Sequence, residues 1–127
     1  MEIPPISIVL LDDDPGFRRS MQLLLHGRGL NVRSFANADL LIDDVIVRDP
    51  ACLVTDYRMM GPNGLEVLAV LRAAGWRRGA VLVTAYGSKE LVRDAIAQGF
   101  DAVIDKPCRH PILVNAVFGA AMRGLEP

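Results

Sequence analysis

The chain has 127 residues, of which 51% are hydrophobic and 23% are charged. This length suits one domain with a single buried core, and the hydrophobic share is typical of α/β folds whose central strands are covered on both faces. The net charge of −1 provides no overall positive field to attract nucleic acid or an anionic membrane. Composition therefore favours a compact α/β domain that binds neither.

The sequence shows no recognisable membrane span or targeting leader and no cysteine motif. No segment has the roughly 18 consecutive apolar residues of a membrane span, and the first residues form no basic leader. These features predict a cytoplasmic protein, and the initial Met favours a genuine N-terminus. Cys52 and Cys108 lie in no CxxC pair and in no cluster with zinc-ligand spacing, so both are expected to be free thiols.

Short apolar runs alternate with helical patterns along the chain. Runs rich in Val, Ile and Leu predict strands at 6–11, 30–35, 51–55, 80–84 and 102–105. The first helix follows Asp14, a typical N-cap, and Pro15, and it is expected to end before Gly27. Asn37 is expected to cap a second helix that reaches about Arg48.

Three more helices complete the alternation. The third is expected to begin after the segment GPNG (61–64) and to end at Gly75. Ser88 is expected to cap the fourth, which ends at Gly99, and Pro111 opens the fifth. The fifth helix is expected to bury its apolar positions Ile112, Leu113, Ala116, Val117 and Ala120. Since parallel strands need crossover connections, five successive βα units predict a parallel sheet with helices on both faces.

Charged and polar residues occur where the predicted strands end. Asp12 and Asp13 follow the first strand, Asp56 the third and Lys106 the fifth, and Thr84 ends the fourth. The carboxyl ends of parallel strands form one edge of the sheet, where ligands bind in folds of this class. Crowded carboxylates need a positive partner, and Mg²⁺ is a hard cation that prefers oxygen ligands. The sequence therefore predicts an acidic Mg²⁺ pocket with one lysine at this edge.

In this order and spacing, these residues resemble the receiver domain of bacterial two-component response regulators. The residues that carry the resemblance are Asp12 and Asp13, Asp56 with Gly64 eight residues later, Thr84 with Ala85, and Lys106 with Pro107. The resemblance covers essentially the whole chain, and residues 1–127 are interpreted as one receiver domain. It implies a flavodoxin-like (βα)5 fold, a doubly wound parallel five-stranded sheet of order 2-1-3-4-5. It also implies a cis bond between Lys106 and Pro107.

The resemblance implies a role for each pocket residue. Asp56 would accept a phosphoryl group from a sensor histidine kinase or phosphotransfer protein, with at most self-phosphorylation and self-dephosphorylation as enzyme activity. The Mg²⁺ ligands would be Asp12, Asp13, Asp56 and the backbone carbonyl of Arg58, with Asp12 acting largely through water. Thr84 would donate its hydroxyl to the phosphoryl group, and Lys106 would pair with it as a point charge. Asp14 is assigned to helix capping.

Several positions depart from the pattern of the family or vary within it. Met60 stands where receivers usually have Pro and Pro62 where they usually have Met or Leu, which predicts a different loop path. Val103 replaces an aromatic residue that swings inward when the threonine moves, so the coupling of Thr84 movement to the output surface is expected to differ.

Arg58 and Tyr86 are expected to overhang the pocket and slow self-dephosphorylation. Two exposed side chains without kinetic effect are the alternative.

The resemblance also implies how the signal leaves the domain, through a change in one of its surfaces. Phosphorylation would rearrange the face of the fourth helix, fifth strand and fifth helix, which would then control an output partner or form a homodimer. No direct nucleic-acid binding by this domain and no membrane association are expected. No output domain is recognisable before the chain ends, so a single-domain regulator and the excised N-terminal part of a longer one both remain open.

Two other functions share part of the pattern. Phosphatases of the haloacid dehalogenase type also use an Asp nucleophile with Mg²⁺, with a second Asp two positions later, as Asp12 and Asp14 could supply. However, 127 residues leave little room for a fuller core or a cap, and Asp56 with Lys106 fits the receiver order better. The second rival is a receiver-shaped module that is never phosphorylated. Such modules usually lack an acidic residue or the lysine, and neither is missing here.

Overall fold

The computed structural model describes residues 5–127. Strands and helices alternate as β1 (Ser7–Leu11), α1 (Pro15–His26), β2 (Asn31–Phe35), α2 (Ala38–Arg48), β3 (Cys52–Asp56), α3 (Gly64–Ala73), β4 (Gly79–Thr84), α4 (Lys89–Gln98), β5 (Ala102–Asp105) and α5 (His110–Gly124). Each strand boundary lies within one residue of its predicted position. Helix α3 begins at Gly64, inside the GPNG segment rather than after it, because Asn63 forms a capping box with Glu66.

All five strands pair in parallel in the order β2-β1-β3-β4-β5. The flavodoxin-like topology implied by the resemblance is therefore confirmed. None of the helices in residues 5–127 has the length and apolar character that a membrane span requires.

Side-chain alternation along the strands divides the core into two layers. In β1, Ile8 and Leu10 pack with α1 and α5, whereas Val9 and Leu11 pack with α2, α3 and α4. All four side chains are fully buried. A strand that is apolar on both faces is what a parallel sheet covered by two helical layers requires.

Side-chain caps start three helices where the sequence predicted them. Asp14, Asn37 and Ser88 each accept backbone N–H groups from the first turn of α1, α2 and α4, respectively. The assignment of Asp14 to capping is therefore confirmed. These caps fix where each strand-to-helix connection ends, and so they fix the loops that carry the polar residues.

The predicted buried face of α5 is wrong at one position. Ile112 is 52% exposed, whereas the buried apolar side chains in α5 are Leu113, Val114, Val117, Ala120 and Ala121. The stripe that contacts the sheet is thus rotated by one residue in the first turn of the helix. On α4, Val92 and Ile96 are also exposed, by 39% and 51%. Apolar side chains therefore remain on the outer surfaces of both helices.

The two cysteines are free thiols, as predicted. Cys52 is buried in β3 and Cys108 is half-buried after β5. Burial raises the pKa of both thiols.

Candidate functional site

The strand register brings the predicted polar residues together at one edge of the sheet. Asp56 and Thr84 are the last residues of β3 and β4, and Asp12 and Lys106 directly follow β1 and β5. In the β3–β4 ladder Asp56 lies opposite Val83, and in the β4–β5 ladder Thr84 lies opposite Asp105. The strand ends are therefore level, and side chains distant in sequence face a common pocket.

Three carboxylates form the acidic part of this pocket. Asp12, Asp13 and Asp56 each offer one oxygen, and these oxygens lie within 4.8 Å of one another. Asp12 is fully buried, Asp56 is 8% exposed, and Asp13 lies on the surface. Hard carboxylate oxygens at this spacing suit a divalent cation such as Mg²⁺. The donor set therefore fits the metal that the sequence predicted.

A backbone amide holds one oxygen of each carboxylate. The Asp14 N–H donates to Oδ1 of Asp12 at 2.9 Å, and the Tyr57 N–H donates to Oδ1 of Asp56 at 2.8 Å. The Met60 N–H donates to Oδ2 of Asp13 at 3.1 Å. Each of these hydrogen bonds restricts the orientation of its carboxylate.

Lys106 provides the positive charge. Its Nζ lies 2.9 Å from Oδ2 of Asp12 and 3.4 Å from Oδ2 of Asp56. The same Nζ lies 4.1 Å from the centre of the Phe17 ring, on α1. The Lys106–Pro107 bond is cis, as the resemblance implied. The contact with Phe17 was not predicted, because no spacing in the sequence relates α1 to the end of β5.

The environment of Asp56 destabilises the ionised form of its carboxyl group. Burial raises the pKa of this carboxyl above its ordinary value, and the charge of Asp12 raises it further. Lys106 and the Tyr57 amide lower the pKa and offset part of this increase. An additional positive charge in the pocket would therefore stabilise the ionised form of Asp56.

Thr84 is buried at the end of β4, and its hydroxyl is held by the loop that follows this strand. Its Oγ1 accepts a hydrogen bond from the Tyr86 N–H at 3.0 Å. The Tyr86 ring, which is 54% exposed, lies under the guanidinium of Arg58 with 4.2 Å between Cζ and the ring centre. A cation–π contact thus joins the loop after β3 to the loop after β4.

Two further predictions concern Arg58 and Val103. Within residues 5–127, no hydrogen-bond donor reaches the Arg58 carbonyl, so its oxygen is available to bind a metal ion.

Val103 is half-buried and packs with the core layer under α2, α3 and α4. Its effect on the movement of Thr84 stays a prediction.

Comparison with known families settles the family of this chain. The family model of the response regulator receiver domain matches residues 8–118. The chain belongs to this family. Receiver domains bind Mg²⁺ at an acidic pocket, and they are in general not enzymes.

Two curated relatives are transcriptional regulatory proteins. Transcriptional regulatory protein FixJ of Azorhizobium caulinodans is 31% identical over 121 residues, which cover 95% of this chain and 57% of that protein. Transcriptional regulatory protein TdiR of Thauera aromatica is 30% identical over 114 residues, which cover 90% of this chain and 50% of that protein. The chain spans about half the length of the curated relatives it matches.

Solved structures show the same fold. The signal receiver domain of a putative Luxo repressor protein from Vibrio parahaemolyticus has a TM-score of 0.90 and 16% identity, covering 95% of this chain and 93% of that one. The response regulator StyR has a TM-score of 0.84 and 27% identity, covering 91% of this chain and 59% of that one.

Proposed function

We propose that this receiver accepts a phosphoryl group on Asp56 in a Mg²⁺-dependent reaction and passes the signal on through its α4–β5–α5 surface. The observation that carries the proposal is the placement of Asp56, which shares one pocket with Asp12, Asp13 and Lys106. The donor would be a sensor histidine kinase or a phosphotransfer protein in the cytoplasm. Membership of the receiver family supports this class of donor.

Asp56 is the nucleophile in this proposal. A carboxylate oxygen attacks the phosphorus of a phosphohistidine, the new O–P bond forms as the N–P bond breaks, and the imidazole leaves with the electron pair. The product is an acyl phosphate on Asp56. The Tyr57 amide holds Oδ1 at 2.8 Å, which limits the rotation of the carboxylate before attack.

Asp13, Asp56 and the Arg58 carbonyl would hold Mg²⁺, with Asp12 acting largely through water. When bound, the ion neutralises negative charge on the transferring phosphoryl oxygens. An indirect role suits Asp12, because both of its oxygens already accept hydrogen bonds, one from the Asp14 amide and one from Lys106. Asp13 has an oxygen that accepts none within residues 5–127, which suits a more direct ligand.

Lys106 and Thr84 contact the phosphoryl group during its transfer and in the phosphorylated form. The Lys106 ammonium already lies between Asp12 and Asp56, so it can pair with a phosphoryl oxygen on Asp56 after a small movement. The Thr84 hydroxyl would donate to another oxygen, because Oγ1 only accepts from the Tyr86 amide and its own O–H remains available as a donor. The α4–β5–α5 surface, with Val92, Ile96 and Ile112 exposed, would then bind an output partner or a second copy.

The first experiment is intact mass after incubation with Mg²⁺ and acetyl phosphate. We expect the wild type and Asp14→Asn to gain one phosphoryl group and Asp56→Asn to gain none. Asparagine caps helices as well as aspartate does, so Asp14→Asn preserves the start of α1. A phosphoryl gain on Asp56→Asn equal to that of the wild type would contradict the proposal.

The same variants test the phosphatase alternative. That reaction needs the carboxylate of Asp12 as nucleophile and that of Asp14 as the second acid. Asp12 is fully buried with both oxygens hydrogen-bonded, and Asp14 caps α1. Both observations favour the receiver chemistry. Turnover of a phosphomonoester that stops in Asp14→Asn would favour the phosphatase instead.

A further inference from the structure

The loop between β3 and α3, residues 57–63, reaches across the pocket to one carboxylate of the acidic cluster. The Met60 N–H donates to Oδ2 of Asp13, a residue of the loop after β1. Asp12 and Asp56 also accept amide hydrogen bonds, but from the nearby residues Asp14 and Tyr57. Among the described residues, the Met60–Asp13 contact is thus the one hydrogen bond that joins these two loops directly.

Both ends of this loop are fixed. At its start, the Tyr57 carbonyl accepts the Gly64 N–H at 2.9 Å, and at its end Asn63 forms the capping box of α3. Between them Gly61 has a φ of 87°, in the left-handed region that favours glycine. The Met60 amide is therefore presented to Asp13 by a loop that is closed by its own hydrogen bonds.

Met60 contributes to the pocket through its backbone alone. Its side chain is 92% exposed and belongs to neither core layer. The N–H group is what contacts Asp13, and every amino acid except proline has one. A proline at this position would remove the contact without changing the identity of any side chain of the pocket.

We propose that the Met60 amide positions Asp13 for the divalent cation. The inference rests on the proposed function, because it concerns the same metal site. The amide holds Oδ2, and Oδ1 accepts no hydrogen bond within residues 5–127, so the carboxylate presents one oxygen in a fixed orientation. Hydrogen bonds that orient a metal ligand typically contribute about 10-fold to 100-fold to metal affinity.

The experiment is calorimetric titration of the unphosphorylated protein with Mg²⁺ alone, comparing Met60→Pro with Met60→Ala. Both variants lose the same side chain, and only the proline variant loses the N–H. We expect Mg²⁺ to bind Met60→Pro about 10-fold more weakly than Met60→Ala. In an Asp13→Ala background the two variants should bind Mg²⁺ equally, since the oriented carboxylate is gone. Equal affinity of Met60→Pro and Met60→Ala when Asp13 is present, or a difference that persists in Asp13→Ala, would overturn the inference.

A second measurement does not depend on the proline variant folding. Hydrogen exchange of the Met60 amide should be at least about 10-fold faster in Asp13→Ala than in the wild type, because its acceptor has been removed. Equal exchange rates would overturn the inference. Absence of Mg²⁺ binding in the wild type would overturn the proposed function as well. Equal affinity of the two Met60 variants, with normal phosphorylation of Asp56, would overturn this inference alone.

Discussion

Lys106 and Asp12 form an ion pair of 2.9 Å in which the carboxylate is fully buried and the lysine side chain is 16% exposed. The pair connects the ends of β5 and β1, which are separated in the sheet by β3 and β4. A buried carboxylate without a cation is costly, because ionised groups lose their hydration on burial. Lys106 therefore stabilises the fold as well as serving the proposed phosphoryl chemistry.

Replacing Lys106 with Met should lower the free energy of unfolding at pH 7 by about 2 kcal/mol. This is less than the cost of breaking a fully buried pair, because the lysine is partly hydrated. Unfolding in urea measures the effect. Lys106→Arg is the control that keeps the charge, and adding Asp12→Asn to Lys106→Met should recover part of the loss. Equal stability of Lys106→Met and the wild type would contradict the role assigned to this pair.

The Asp56→Asn substitution should have the opposite effect on stability. The pKa of Asp56 is raised in the folded protein, mainly by burial, so its ionised form is less favourable there than in the unfolded chain. Neutral Asn avoids this cost, and the free energy of unfolding at pH 7 should rise by about 1 kcal/mol, the usual size of a single-residue effect. Asp43→Asn, at an exposed position on α2, is the matched control.

The stability gained by Asp56→Asn should increase as the pH rises. The folded state holds the Asp56 proton more tightly than the unfolded state, so the wild type loses stability as pH rises from the ordinary value of 3.8 through the folded pKa. The variant has no such loss. The difference between the two proteins should therefore be small in acid and reach its full size at neutral pH. Urea unfolding at several pH values in the absence of Mg²⁺ measures it, and a gain that is largest in acid would refute the assignment.

The sequence predicted the parts of this structure that local rules determine. Asp14, Asn37 and Ser88 could be assigned because a cap depends on its own first turn, and the apolar runs marked the strands to within one residue. The common edge of Asp56 and Lys106 followed from the βα alternation. The strand order itself was implied by the family resemblance, since α/β alternation is compatible with more than one order.

Contacts between loops could not be predicted from the sequence. The stacking of Arg58 on Tyr86 and the hydrogen bond from Met60 to Asp13 depend on the path of each loop and on side-chain rotamers. The exposure of Ile112 depends on the rotation of α5 against the sheet, which a hydrophobic pattern fixes only to about one residue.

Phe17 should help to keep the Lys106 ammonium in the pocket. Its ring centre lies 4.1 Å from Nζ, and a contact of this kind contributes about 1 kcal/mol. Phe17→Leu removes the aromatic face and preserves much of the apolar volume, whereas Phe17→Tyr keeps the ring. We expect phosphorylation by acetyl phosphate to be about fivefold slower in Phe17→Leu and close to the wild-type rate in Phe17→Tyr.

A purely packing role for Phe17 would give a different result. Phe17→Leu would then lower the unfolding midpoint without slowing phosphorylation of the folded protein. Introducing Phe17→Leu into Lys106→Met separates the two roles further, because the ring has no ammonium to hold in that background. A fivefold effect of Phe17→Leu that survives there would rule out action through Lys106.

The contact between Arg58 and Tyr86 should lengthen the lifetime of the acyl phosphate. The two side chains come from the loops that follow Asp56 and Thr84, and their stack can obstruct water that approaches in line with the acyl phosphate. Arg58→Ala and Tyr86→Ala should each shorten the half-life by roughly fivefold, in keeping with the loss of one cation–π contact. Loss of phosphoryl mass after removal of acetyl phosphate measures the half-life.

Combining the two substitutions distinguishes a joint effect from two independent ones. If the side chains act as one stacked unit, either substitution breaks it, and the double variant should lose its phosphoryl group no faster than each single variant. Tyr86→Phe keeps the ring and should keep the wild-type half-life, which separates stacking from any effect of the hydroxyl. Effects of Arg58→Ala and Tyr86→Ala that multiply in the double variant would show that each side chain obstructs water separately. Unchanged half-lives in all variants would mean that both are exposed side chains without kinetic effect.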